Sequence, residues 1–127
     1  MIFNKLSKSI INKGGKIVIA TEENGLIGVL QGNRAATMDT VIYLREDMTI
    51  SEVLEERKHF FQNISGKFDK FESDVRIVKQ EIEANEYLLS VKDKFKIPLE
   101  EIEETKELLE YYQKCKIEIE KEGRWVE

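Results

Sequence analysis

Apolar residues recur along this chain with two different periods, and the switch between them marks its elements. From Phe3 to Lys13 they fall at Phe3, Leu6, Ile10 and Ile11, the spacing of one helical face, and Gly14-Gly15 supplies a stop. Lys16 to Ala20, KIVIA, is an unbroken β-branched and apolar run that predicts a buried strand. Residues 21 to 33 are ambiguous. Asn24-Gly25 is a hairpin signal, whereas Thr21 can cap a short helix carrying Leu26, Ile27, Val29 and Leu30, and the helix is the preferred reading. Arg34 to Met38 and Thr40 to Arg45 predict two strands about a tight turn near Asp39, with TVIYLR the better strand former.

The helical period returns at residue 49. Thr49 and Glu52 have the capping-box spacing, in which hydroxyl and carboxylate each satisfy a backbone donor. Ile50, Val53, Leu54, Phe60, Phe61 and Ile64 share one arc of the helix that follows, while Glu55, His59 and Gln62 line another face. Arg57 falls inside the apolar arc, where periodicity alone does not account for a cation. Asn63 and Gly66 mark the end. Phe71 to Lys92 predicts a long helix whose apolar residues, Phe71, Val75, Ile77, Val78, Ile82, Leu88 and Leu89, span an arc of about −140° to +20° about Ile82. Glu81 and Asn85 land within that arc and Glu83 points outward. A carboxylate in a buried face is costly unless paired or bound to a cation, so Glu81 requires a partner. Pro98 opens a last helix, Leu99 to about Ile119, and the short link makes the two helices antiparallel neighbours. The tail, Lys121 to Glu127, is expected to fray, with Trp125 docked or left for a partner.

These elements predict an α+β fold: a small three-stranded antiparallel sheet packed on the helix at 49–65, followed by a long antiparallel helical hairpin at 68–120. A single domain over 1–127 is expected, with the sheet in 1–48 and a tail at 121–127. At 127 residues the chain supports one core, and 35% charged against 41% apolar residues describes a soluble, helix-rich protein. No apolar run reaches the length of a bilayer span and no cationic-plus-apolar leader stands at Met1, so a cytoplasmic location and no membrane association are expected. A net charge of −5 disfavours general binding to nucleic acid. The lone Cys115, with Tyr111 and Ile119 at i±4, reads as a small core residue in a reducing compartment.

The chemistry concentrates around the only histidine. Glu55 and His59 stand at i, i+4, so their side chains rise together from successive turns and can hold one metal ion. Glu56 stands beside them, placed to orient or deprotonate a water. This is the geometry of H-E-x-x-H with its first histidine replaced by glutamate.

The order of segments carries a resemblance. A Gly-Gly-strand opening (Gly14 to Ala20), a strand (Val41 to Arg45), VLEERKHFFQ (Val53 to Gln62), EIEANEYLL (Glu81 to Leu89) and an amphipathic helix follow one another over roughly residues 5 to 115. Together these resemble the zincin-like domains with an E-E-x-x-H motif found in bacterial polymorphic toxins and phage-associated proteins. The resemblance implies a metallopeptidase acting on a peptide or protein substrate, delivered within a larger toxin or phage protein. It makes Glu55 and His59 ligands, Glu56 the general base, and an acid of the EIEA stretch the third ligand. The helical arc selects Glu81 for that place over Glu83. Gln62 is then an outer group orienting a ligand, and Asn85 is assigned the same part. Such a Glu-His-Glu set binds zinc and also accepts manganese or iron. Arg57 and Lys58 depart from the family, which has an apolar residue after the Glu pair, and two cations there weaken a divalent site. Val41 to Arg45 is expected to be an edge strand able to hold an extended peptide. No Tyr or Arg is assigned as an oxyanion stabiliser.

Two rival readings use the same residues. Glu56-x-x-His59 matches the E-x-x-H spacing of ferritin-like di-metal bundles, but such a site needs a second motif and a pure bundle has no strands. Alternatively the chain is a non-catalytic α+β interaction module, a decayed zincin whose helical hairpin docks on a protein partner. Glu55 and His59 are then surface residues, and Glu81 pairs with a cation such as Arg57.

Overall fold

The computed structural model describes residues 2–127. Met1 lies outside the described residues. Contacts divide the chain into two compact units, residues 1–65 and 66–127.

The first unit opens with helix α1 (Ile2–Ile11), which buries Leu6 and Ile10. Gly14 ends the turn with a φ of +85°, and the amides of Gly14 and Gly15 donate back to Ile11 and Ile10. This paired closure satisfies carbonyls the helix would otherwise leave open. Strand β1 (Lys16–Ala20) follows. Asn24 then folds back on Thr21: the Thr21 amide donates to Asn24 Oδ1 and the Asn24 amide to Thr21 Oγ1, both at 3.0 Å. Thr21 therefore closes a turn rather than capping a helix, and the expected helix shrinks to one 3₁₀ turn, Ile27–Leu30, that buries Leu30. Strands β2 (Ala35–Met38) and β3 (Val41–Arg45) form the expected hairpin, with Asp39 at a φ of +56°.

The sheet has the order β1-β3-β2 and is mixed, not antiparallel. β2 runs antiparallel to β3, but β1 runs parallel to it, with Ile17 opposite Ile42 and Ile19 opposite Leu44. The tight turn at Asp39 decides the direction of β2 against β3. β1 joins on the far side of β3 and points the same way as it. Val41–Arg45 is consequently the central strand, not an edge, and its Ile42 and Leu44 are buried. The edges of the sheet are β1 and β2.

Helix α2 (Ile50–Ser65) packs on β2, β3 and α1. Its start is the capping box: the Thr49 amide donates to Glu52 Oε1 at 3.0 Å, and the Glu52 amide donates to Thr49 Oγ1 at 3.1 Å. Val53, Leu54 and Phe60 are buried as the arc requires, whereas Ile64, in the last turn, is 41% exposed. The cation inside the arc is accounted for within the same unit. Arg57 Nε donates to Ser9 Oγ of α1 at 2.9 Å, and its guanidinium lies 4.9 Å from the Phe61 ring centre, so the charge keeps a partner while the stem packs.

The second unit is an antiparallel hairpin of α3 (Ser73–Ser90) and α4 (Leu99–Lys121). One cluster of its core is Val75, Val78 and Ile119, with Phe71, Ile82, Tyr112, Cys115 and Trp125 packed against it, and Ala84, Leu88 and Ile97 are buried as well. Cys115 is thus part of the packing, as its neighbours imply. Ile77, expected in the apolar arc, is 49% exposed. Glu83 forms an ion pair with Lys67.

The tail is tied down instead of fraying. Arg124 donates to Glu72 at 2.8 Å and to both oxygens of Asp74 at 3.1 and 2.7 Å, and the Lys79 ammonium sits 4.3 Å from the Trp125 ring centre. The Arg124 hydrogen bonds hold the Asp74 carboxyl below the ordinary aspartate range. A carboxyl depressed in this way stabilises the fold above its unfolded value and ceases to do so as pH falls through the folded one. Trp125 fluorescence is therefore expected to stay flat down to about pH 4 and to change below it. In Asp74→Asn that acid step should shrink. Superimposable profiles for the two proteins would detach Asp74 from the tail.

Among the described residues, no helix is long and apolar enough to cross a membrane.

Candidate metal centre

Helix α2 carries four of the six singled-out residues, and the helical repeat places them. Glu55 and His59 are one turn apart and both half-buried, with His59 Nε2 3.7 Å from Glu55 Oε1. That separation is too long for a hydrogen bond. It is close to what an ion between them needs: two donors each about 2.1 Å from a tetrahedral zinc stand about 3.4 Å apart.

The other ring nitrogen is already engaged. Gln62, 2% exposed, places its Oε1 2.8 Å from His59 Nδ1. With the amide oxygen facing the ring, Nδ1–H donates, and in the neutral imidazole the lone pair then falls on Nε2, the nitrogen that faces Glu55. Metal-ligating histidines are commonly oriented in this way, by a partner on the nitrogen that does not bind. Gln62 thus contacts the ring nitrogen that does not face Glu55.

Glu56 is buried, at 8% exposure. Its carboxylate is held from the sheet: Thr37 Oγ1 of β2 lies 2.9 Å from Glu56 Oε1 and 3.0 Å from the Glu56 backbone oxygen. Sequence reasoning missed Thr37. The one available signal is that it is the only polar side chain in AATM, on a strand otherwise made of small and apolar residues.

Glu81 and Asn85 belong to the second unit. They stand at i, i+4 on α3, Glu81 half-buried and Asn85 fully buried, as the arc predicts. Asn85 Nδ2 donates to the Glu81 backbone oxygen at 2.7 Å. That bond fixes the amide orientation, and among the described residues Asn85 Oδ1 has no hydrogen-bond partner. A buried acceptor left in that state is unusual and is what a bound water or ligand donor would satisfy.

The donor types suit a divalent ion: imidazole and carboxylate oxygens, with one imidazole lone pair already directed. No protein-family model, curated protein or solved structure matches the chain.

Proposed function

We propose that the chain is a metal-dependent hydrolase of peptide bonds, resembling the zincin-like toxin and phage-associated domains, with Glu55, His59 and Glu81 as ligands and Glu56 as general base. One observation carries the reading. His59 presents Nε2 to a carboxylate at 3.7 Å while Gln62 occupies Nδ1, an arrangement suited to a bound cation and superfluous for a solvated surface pair. Glu81 completes the set on the sequence argument that a carboxylate inside a buried arc is paired or bound to a cation.

Zinc, or manganese or iron in its place, would acidify a water and polarise the scissile carbonyl. The chain's own residues do the rest. Gln62 keeps the imidazole in the binding tautomer. Glu56 accepts a proton from the attacking water and returns it to the leaving amine. The outer edge of β2, a rim of the sheet, offers backbone groups on which an extended peptide can add as a strand.

A metal titration tests this. Calorimetry on metal-stripped protein should show one zinc site, lost in His59→Ala and in Glu81→Gln, and weakened about 10- to 100-fold in Gln62→Ala. Undiminished binding in Glu81→Gln would remove that ligand. No binding at micromolar zinc or manganese would leave the interaction module, which the exposed Leu108 and Tyr111 on α4 favour.

A further inference from the structure

We propose that Thr37 is the positioning residue for Glu56, a strand hydroxyl that holds the base in one place through both halves of its proton transfer; the role rests on the hydrolase reading above. Thr37 Oγ1 stands within hydrogen-bond distance of two oxygens of one residue, 2.9 Å from Glu56 Oε1 and 3.0 Å from Glu56 O. A hydroxyl has one proton and two lone pairs, so it cannot donate fully to both at once. It does not need to. Toward the carboxylate it donates to Oε1. Once Glu56 has taken a proton on its second oxygen, Oε1 remains an acceptor and the hydroxyl keeps donating to it. The proton passes from water to that second oxygen and on to the leaving amine, while the Thr37 hydroxyl keeps its own proton throughout.

The setting suits such a part. Threonine is stiff at its first side-chain torsion, and Thr37 is paired in register with Ile42 of the central strand, so the hydroxyl is presented from a pinned backbone. Glutamate has three torsions to order, and a carboxylate at 8% exposure has little bulk water to orient it. With Oε1 held by the strand, the carboxylate's freedom to turn is reduced and its second oxygen is restrained with it. A helix alone does not supply this, because the hydroxyl that meets Glu56 Oε1 comes from β2.

Isosteric replacement separates positioning from packing. With zinc-loaded protein and casein as substrate, Thr37→Val is expected to lower kcat about 10- to 100-fold, the scale of an angstrom's misplacement, with KM and zinc affinity nearly unchanged. Thr37→Ser, which keeps the hydroxyl, should recover most of the loss. A second readout needs neither metal nor turnover. In thermal unfolding of metal-free protein, Thr37→Val and Glu56→Ala should each lower Tm, and the double variant should lower it by less than their sum, because both remove the same bond. Additive shifts, an unimpaired Thr37→Val, or a Thr37→Ser as slow as Thr37→Val would each overturn the assignment. A wild-type chain that binds zinc and leaves casein intact would instead overturn the hydrolase reading, and the role with it. That result is told apart because the Tm coupling would persist.

Discussion

Gly15→Ala is expected to destabilise the first unit by about 3 kcal/mol, the upper part of the range for overpacking a core, and to lower its Tm by about 10–20 °C. A methyl placed there would lie 2.4 Å from Phe60 Cε1, 2.7 Å from Phe60 Cζ and 2.6 Å from Ile10 Cγ2. All three contacts are to side-chain tips, which elsewhere could swing aside. Here both side chains are buried, and Phe60 is also set edge-on to Phe61 at 5.2 Å, so a shift of either disturbs close packing. Two neighbours calibrate the measurement. Gly14 has open space around it but a φ of +85°, so Gly14→Ala should cost only the left-handed strain of about 1–2 kcal/mol. Gly28 has neither a close neighbour nor a positive φ, and Gly28→Ala should be close to neutral. Denaturant or thermal unfolding of the three variants in that order of severity is the expected outcome. A Gly15→Ala protein as stable as Gly28→Ala would mean that Phe60 does not seat against this turn.

Glu56→Gln should lower kcat on casein by about 10²- to 10⁴-fold, the usual worth of a positioned general base. The substitution is nearly isosteric. Its amide oxygen can still accept from the Thr37 hydroxyl, so the side chain keeps its place and the fold its stability. Zinc affinity should be unchanged, since Glu56 is turned to β2 and is not a ligand in the proposed set. What disappears is the ability to take a proton. Unaltered turnover would remove Glu56 from the chemistry, and lost zinc binding would make it a ligand instead.

How much of this is legible without coordinates depends on how local the interaction is. The Thr49–Glu52 box, the closure at Gly14-Gly15 and the Met38–Val41 reversal are readable because the partners lie within a few residues and the spacing dictates the geometry. Glu55 and His59 belong to the same class, as does the Gln62 anchor. Strand order does not. KIVIA states that a strand is buried but not which neighbour it meets, and so the parallel β1–β3 pairing and the central place of Val41–Arg45 came out differently from the expected antiparallel sheet. A helical wheel likewise gives the direction of a face without its width. Ile64 and Ile77 lie on apolar arcs yet remain substantially exposed, whereas Arg57 lies on one and is satisfied by Ser9 and Phe61. Thr37 was invisible for the same reason: its partner is 19 positions away on another element.

The placement of Gln62 three residues after His59 has a consequence of its own. Imidazole and anchor ride on one rigid rod, so their mutual orientation is inherited from helical pitch and owes nothing to how distant segments settle. The vulnerable point is therefore the rod's trailing end. Unwinding from Ser65 backward would release Gln62 first and loosen the hold on the ring, so at the proposed metal site a weakened grip on the ion should be an early symptom of fraying there, ahead of any visible loss of fold.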